Sequence, residues 1–315
     1  MLGLRHAGVT WPEEKSFAFS IFDDTDNATV ENIRPVYALL NELGIKITKT
    51  VWPLRSDPGD RFFSQSLQNQ DYLDFILELQ ASGFEIGYHG ARGGSNPRQI
   101  TLEALDLFRE KLGHDPYAYA HHAPALENLY WGGQRTRWSV LKPFTSYCSQ
   151  HQAFYGSTQG SRYFWGDLCR ARIRYVRNYG FTGANLLTCD PWTPYHDPRK
   201  PFVNAWFSTN GWMNADSVEQ VFNPTHIDQW ERSRGLVIIG GHLGQHFARD
   251  GKVNPSFEKA MRSLAVRNGW FVPVSTILDH ISTQRGVHVL SAGQSRVLEL
   301  RWAMHMGKKL LRSRL

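Results

Sequence analysis

Cysteine is scarce in this chain. Three in 315 residues, Cys148, Cys169 and Cys189, stand far apart with no C-x-x-C pair. That spacing excludes a zinc ribbon and a disulfide framework, and it points to a reducing, cytoplasmic setting. No run of about 18 apolar residues occurs, so no bilayer-spanning helix is expected. The segment Met1 to His6 lacks the apolar core of a secretory signal. Three nucleotide and hydrolase signatures are also missing: G-x-x-x-x-G-K-[ST], G-x-S-x-G, and G-x-G-x-x-G after the first strand. Their absence argues against a phosphate-loop enzyme, a serine hydrolase with a nucleophile elbow, and a dinucleotide-binding domain. Excess positive charge is missing from most of the chain as well. Of the net +6, five charges belong to residues 296–315, where Arg296, Arg301, Lys308, Lys309, Arg312 and Arg314 face only Glu299. The rest is close to neutral and carries no helix-turn-helix or zinc finger, so no nucleic-acid partner is expected.

What is present begins with Asp23-Asp24, which follows the apolar run Phe17 to Phe22 and precedes a helix-like segment from about Thr29. Two adjacent acids at the end of a buried-strand pattern cost desolvation free energy unless they meet a cation or move protons. A repeating grammar gives the pair its weight: a helix-period stretch, a glycine, a β-rich stretch, then a polar residue. Val30, Ile33, Val36, Leu40 and Leu43 run to Gly44, followed by Ile45 to Trp52. Tyr72, Phe75, Ile76 and Leu79 run to Gly83, after which Phe84 to Tyr88 leads to His89. Leu102, Leu105, Phe108 and Leu112 run to Gly113, and Pro116 to Ala120 ends in His121-His122. Leu236 to Ile239 leads through two glycines to His242, while Gly180 and Gly269 open strand candidates Phe181 to Cys189 and Trp270 to Ser275.

Alternating helices and strands imply βαβ crossovers and a mostly parallel sheet, because parallel neighbours need a long return connection. Sites in such folds gather at the carboxyl ends of the strands. Asp23, Asp24, His89, His121, His122 and His242 all fall there. The length suits one large α/β domain of barrel type. Aromatic residues make up 13% of the chain, with 11 Trp, a weak pointer to sugar faces. From Ala123 to Arg177 no period is clear, which suggests loops or short helices covering the strand ends. The proline-rich stretch Asp190 to Pro198 reads equally as a rigid surface loop or as a carrier of Asp190, Tyr195, His196 and Asp197 toward the site.

Phe22-Asp23-Asp24, Glu85-Ile86-Gly87-Tyr88-His89, Ala123-Pro124 and Ile238-Ile239-Gly240-Gly241-His242 together resemble the polysaccharide deacetylases with NodB homology, the carbohydrate esterase 4-like family. The likeness spans about residues 15–285 in motif order. Pro194-Tyr195-His196-Asp197-Pro198 and Asn268 to Ser275 look like deacetylase-like proteins of bacterial O-antigen and exopolysaccharide synthesis. The resemblance implies a distorted (β/α) barrel of about seven mostly parallel strands, a divalent metal, zinc above all, and removal of acetyl groups from N-acetylated sugars. It implies Asp23 as the general base, Asp24 and His89 as metal ligands, and His242 as the acid that protonates the leaving amine. Two departures stand out. Gly93 occupies the place of the family's second histidine, four residues after His89, and His122 stands where the third motif usually has arginine. His122, with His121 as the alternative, is the candidate third ligand, and loss of metal and of turnover is the competing reading of Gly93.

The expected organisation is a deacetylase-like barrel over 1–285 and a basic amphipathic tail over 286–315. The tail reads either as an interfacial helix on an anionic inner-membrane surface, suited to a lipid-linked glycan, or as a helix packed on the barrel. The expected activity is metal-dependent hydrolysis of an acylated amino sugar during surface-polysaccharide synthesis. Two alternatives stay open: a non-hydrolytic glycan-binding protein, and a glycoside hydrolase pairing Asp23 or Asp24 with Glu127 or Asp190.

Overall fold

The computed structural model describes residues 8–60, 63–122, 125–138 and 153–312. The Ala123-Pro124 motif, Cys148 and the side chains of the tail beyond Gly307 lie outside the described residues. Strand β1 (Phe17–Asp23) is the centre of the sheet, buried along its whole length. It is flanked on one side by β2 (Thr48–Val51), β3 (Glu85–Tyr88), β4 (Ala118–Tyr119), β5 (Tyr175–Gly180) and, after a β6 (Tyr195–His196) that lies further out, β7 (Ala205–Thr209). On its other side β1 pairs with β9 (Leu236–Gly241), which carries β8 (Trp212–Met213) at its edge. A hairpin of β10 (Ala248–Arg249) and β11 (Lys252–Val253) is separate, β12 (Gly269–Phe271) pairs with the start of β1, and β13 (His288–Val289) pairs with β6. Every pairing in the main sheet is parallel except β6 with β7. Asn210, just past β7, bridges to β9: its N–H donates to the Ile238 carbonyl at 2.6 Å, and its side-chain oxygen accepts from the Ile238 N–H at 2.8 Å. That link curls the sheet toward the distorted barrel expected of it.

The helices form the outer layer: α1 (Val30–Glu42), α2 (Gln70–Ala81), α3 (Arg98–Leu112), α4 (Gly166–Arg172), α5 (Pro224–Arg232), α6 (Pro255–Ala265), α7 (Val274–Arg285) and α8 (Ala292–Arg312). Their boundaries follow local chemistry. Thr29 and Asn32 form a reciprocal capping box at the start of α1, and Gly113 adopts the left-handed conformation, φ 80°, that ends α3. The apolar faces read from the sequence are the ones buried: Ile33, Val36 and Leu40 on α1, and Tyr72, Phe75, Ile76 and Leu79 on α2.

One strand falls elsewhere than expected. Gly180 closes β5 instead of opening a strand, and residues 186–189 form a helical turn. The turn follows from Asn185, whose side-chain oxygen accepts from the Leu187 N–H at 3.0 Å and so caps it. Strand β5 was concealed because Arg174, Arg177 and Asn178 break the apolar pattern of Tyr175-Val176 and Tyr179. The terminal segment is a helix packed on the barrel, with Leu298 and Trp302 in the core. Among the described residues no helix is long and apolar enough to cross a membrane.

Candidate active site

Successive residues of a strand point to opposite faces, and β1 uses that rule to separate its two acids. Asp23 projects into the layer between sheet and helices. Its Oδ2 lies 3.1 Å from Lys49 Nζ on β2 and accepts from the Tyr37 hydroxyl of α1 at 2.8 Å. Its Oδ1 accepts from the Leu243 N–H at 2.7 Å. Asp23 and Lys49 are both wholly buried. Asp24 turns to the mouth of the barrel, where Arg177 of β5 grips its two oxygens at 2.9 and 2.6 Å. A two-pronged guanidinium contact of this kind fixes a carboxylate's orientation as well as its charge. The Arg177 guanidinium in turn lies over the rings of Phe22 and Trp212.

Two residues further on, Asp26 sits among three imidazoles. His242 Nε2 is 2.9 Å from its Oδ2, and His122 Nε2 and His89 Nε2 are 3.3 and 3.7 Å from its Oδ1. His89 follows β3, His122 follows β4 and His242 follows β9, so parallel topology alone delivers them to one end. Trp52 orders this corner: its indole N–H donates to the His89 carbonyl at 3.2 Å, and its ring meets the His122 ring edge-on. Burial opposes ionisation of Asp26, but hydrogen bonds from His122, His242 and His89 outweigh it and hold the carboxyl far below the usual range. For His242 burial likewise opposes charge, and the Asp26 hydrogen bond with the charge of Asp24 reverses the balance and raises its pKa. Asp26, His89 and His122 each present one ligand atom within 4.8 Å of the others. Asp26 Oδ1 is buried and faces the two imidazole nitrogens of His89 and His122. One carboxylate oxygen with two imidazole nitrogens is a donor set that fits a divalent cation.

The fold has solved counterparts. A protein assigned as a polysaccharide deacetylase from Mycobacterium smegmatis superposes with a TM-score of 0.51 at 11% identity, covering 90% of this chain and 96% of its own. The chain has the polysaccharide-deacetylase fold. Two further structures superpose with a TM-score of 0.49 at 13% identity and 88% of this chain: the allantoinase Puue, covered to 93%, and a protein assigned as a polysaccharide deacetylase from Pseudomonas aeruginosa PAO1, covered to 94%. No family model and no curated protein matches the chain.

On this deacetylase fold the cluster opens into a cavity of about 490 Å³. Asp24, Asp26, His89 and His242 line it together with His121, Arg135, Trp212 and, from α8, Trp302, His305 and Met306. His121 stands at its margin beside Trp131. The Leu129 and Arg177 carbonyls lie near it, yet neither ring nitrogen forms a hydrogen bond of good geometry, and burial pushes its pKa well down. The proline-rich stretch does not reach the cavity. Asp190 is wholly buried and accepts from Ser208 at 2.6 Å, the Tyr195 hydroxyl accepts from Asn178 at 2.8 Å, and His196 Nδ1 faces the Val203 and Asn204 carbonyls. Asp197 pairs with Arg199, and Glu127 accepts from Asn96. Sequence reasoning passed over Asp26, Arg177 and Lys49. A signal existed for Asp26, a third acid in Asp23-Asp24-Thr25-Asp26 ahead of the capping Thr29; none existed for the other two.

Proposed function

We propose that the protein is a metal-dependent hydrolase that removes an acyl group, N-acetyl above all, from an amino sugar during bacterial surface-polysaccharide synthesis. The observation that carries this is the meeting of Asp26, His89 and His122 beneath His242, on a fold shared with a protein assigned as a polysaccharide deacetylase. Asp26, His89 and His122 would hold the cation, and two imidazoles with a carboxylate favour zinc. When bound, it supplies the Lewis acidity that polarises an amide carbonyl and makes water a usable nucleophile near neutral pH. Asp24, oriented by Arg177 and facing the cavity, takes the water proton. His242 carries a proton at Nε2 beside Asp26 and delivers it to the amine as the carbon–nitrogen bond breaks. Water adds to the carbonyl carbon, acetate leaves with its oxygen, and the sugar keeps a protonated amine.

This reading moves two roles along the chain from those the family resemblance implies: the base from Asp23 to Asp24, and the ligand carboxylate from Asp24 to Asp26. Asp23, packed behind the cavity, holds the Leu243 backbone and so positions its neighbour His242. His122 answers the glycine at position 93 by supplying the second imidazole. The protein would work in the cytoplasm with a peripheral contact to the inner membrane. Val297, Leu300 and Met304 support that contact, since they form an exposed apolar stripe on the outer face of α8.

Metal content and acetate release test the proposal together. Wild-type protein supplemented with zinc or cobalt should hold about one ion per chain and release acetate from N-acetylated sugars. Asp26→Ala, His89→Ala and His122→Ala should lose both properties, and Asp24→Asn only the second. Wild-type protein without stoichiometric metal would overturn the hydrolase reading. Sugar binding without acetate would leave a glycan-binding protein on the same fold.

A further inference from the structure

The helix α8 lies beyond the strands that build the barrel, yet it reaches the cavity. Leu298, Trp302, His305 and Met306 recur at a helical period and form its inward face, with Leu298 and Trp302 buried and Trp302, His305 and Met306 lining the cavity. Its placement is fixed by specific contacts. Glu299, buried, accepts from the Arg137 N–H at 3.0 Å and lies 3.5 Å from Arg199. Trp302 packs on Tyr179, and the Arg135 guanidinium lies between the rings of Trp131 and Trp302 at 4.2 and 4.7 Å. His305 meets Phe181 edge-on, and its Nδ1 accepts from the Thr182 N–H at 3.3 Å. The Thr182 hydroxyl oxygen lies 3.1 Å from the same Nδ1, so the ring is held at the cavity wall by two contacts.

We infer that α8 is the specificity wall of the active site, with His305 and Met306 contacting the sugar, and that the substrate is one sugar unit or a chain end and not an internal residue of a polymer. The inference rests on the deacylase reading of the same cavity and adds the substrate class to it. Two observations carry it. A space of about 490 Å³ is within the range that encloses a single small ligand, about one or two sugar rings. It is bounded by the acid–imidazole cluster, by the Trp131–Arg135 segment, by Trp212, and by α8. A polymer threading past the cluster needs a groove open at both ends; here α8 occupies one of the walls such a groove would have to breach. An imidazole and a thioether beside aromatic rings suit the mixed polar and apolar faces of a pyranose.

The test uses metal-supplemented full-length protein, with N-acetylglucosamine, its uridine diphosphate ester and β-1,4-linked N-acetylglucosamine oligomers of increasing length as probes. Acetate release is measured for wild type, His305→Ala and Met306→Trp, and the His305 ring signals are followed by NMR during each titration. His305→Ala should raise KM about tenfold and leave kcat within about threefold, the size of one lost hydrogen bond. Affinity should stop rising beyond about two sugar units, and the His305 signals should shift on binding. Oligomer affinity that keeps rising with length, or His305 signals and KM values indifferent to these sugars, would overturn the inference. Shifted His305 signals with no acetate from any probe would uphold α8 as a sugar-binding wall and overturn the hydrolase reading alone.

Discussion

Replacing Asp23 by alanine separates a positioning acid from a catalytic one. The Asp23–Lys49 pair is wholly buried, 3.1 Å apart, so the alanine variant leaves an ammonium in the core with its counter-ion gone. Breaking such a pair typically costs about 3–5 kcal/mol. A ceiling follows from the alternative open to the lysine, which is to give up its proton. From an ordinary value of 10.5 down to pH 7, at about 1.4 kcal/mol per pH unit, neutralising Lys49 costs about 5 kcal/mol. The hydrogen bonds from Tyr37 and Leu243 are lost as well. Asp23→Ala should therefore be destabilised by about 3–5 kcal/mol in urea unfolding. Asp23→Asn with Lys49→Met should recover most of that, since it removes the orphan charge and keeps an acceptor for Leu243. Asp24→Ala also removes a buried partner, but the Arg177 it leaves is 14% exposed and lines the cavity, so the loss should be smaller, about 1–3 kcal/mol. An Asp23→Ala protein as stable as wild type but inactive would refute this reasoning and return the base to residue 23.

Three more outcomes follow from the site and its surroundings. Arg177→Met should lower kcat for acetate release by about 10²–10³-fold with bound metal unchanged, because it releases the Asp24 carboxylate from its fixed orientation; equal loss of metal would place Arg177 in the ion's own support. Glu85, buried where its carboxylate accepts from the Ser275 N–H at the start of α7, has its pKa pushed by burial to about 7 from 4.5. The folded state thus holds a proton that the unfolded chain has lost, and stability falls as pH rises from about 4.5 to 7, by on the order of 3 kcal/mol. Glu85→Gln should gain on wild type across that window in urea melts and hold a constant advantage above it; parallel pH profiles would reject the assignment. Full-length protein should sediment with vesicles rich in anionic lipid at low salt, and Leu300→Ser with Met304→Ser should weaken this. Sedimentation unchanged by that double substitution would reject contact through α8.

Much of the architecture was legible because the signals were local. Glycines at helix ends, the spacing of Tyr72, Phe75, Ile76 and Leu79, and histidines after apolar strands each report on a few neighbouring residues, and parallel topology converts them into one cluster. What escaped was set by contacts between distant segments. Arg177 lies in an unremarkable polar interruption of β5 and acquires meaning only opposite Asp24, more than 150 residues earlier. Lys49 looks like the solvent-facing member of an alternating strand until Asp23 is found beside it. Asp26 was visible as a third acid but was outranked by the adjacent pair, since the motif drew attention to neighbours in sequence where side-chain direction decides the outcome. The tail gave its helical period away, and the walls it would touch could not be read from it.

The placement of α8 also orders events during synthesis. Every residue of the acid–imidazole cluster has left the ribosome well before Trp302, His305 and Met306 do, so a nascent chain can gather its carboxylates and imidazoles around an exposed hollow. Only when α8 docks does that hollow acquire the wall formed by Trp302, His305 and Met306, so the cluster can assemble before the surface that would select its ligand.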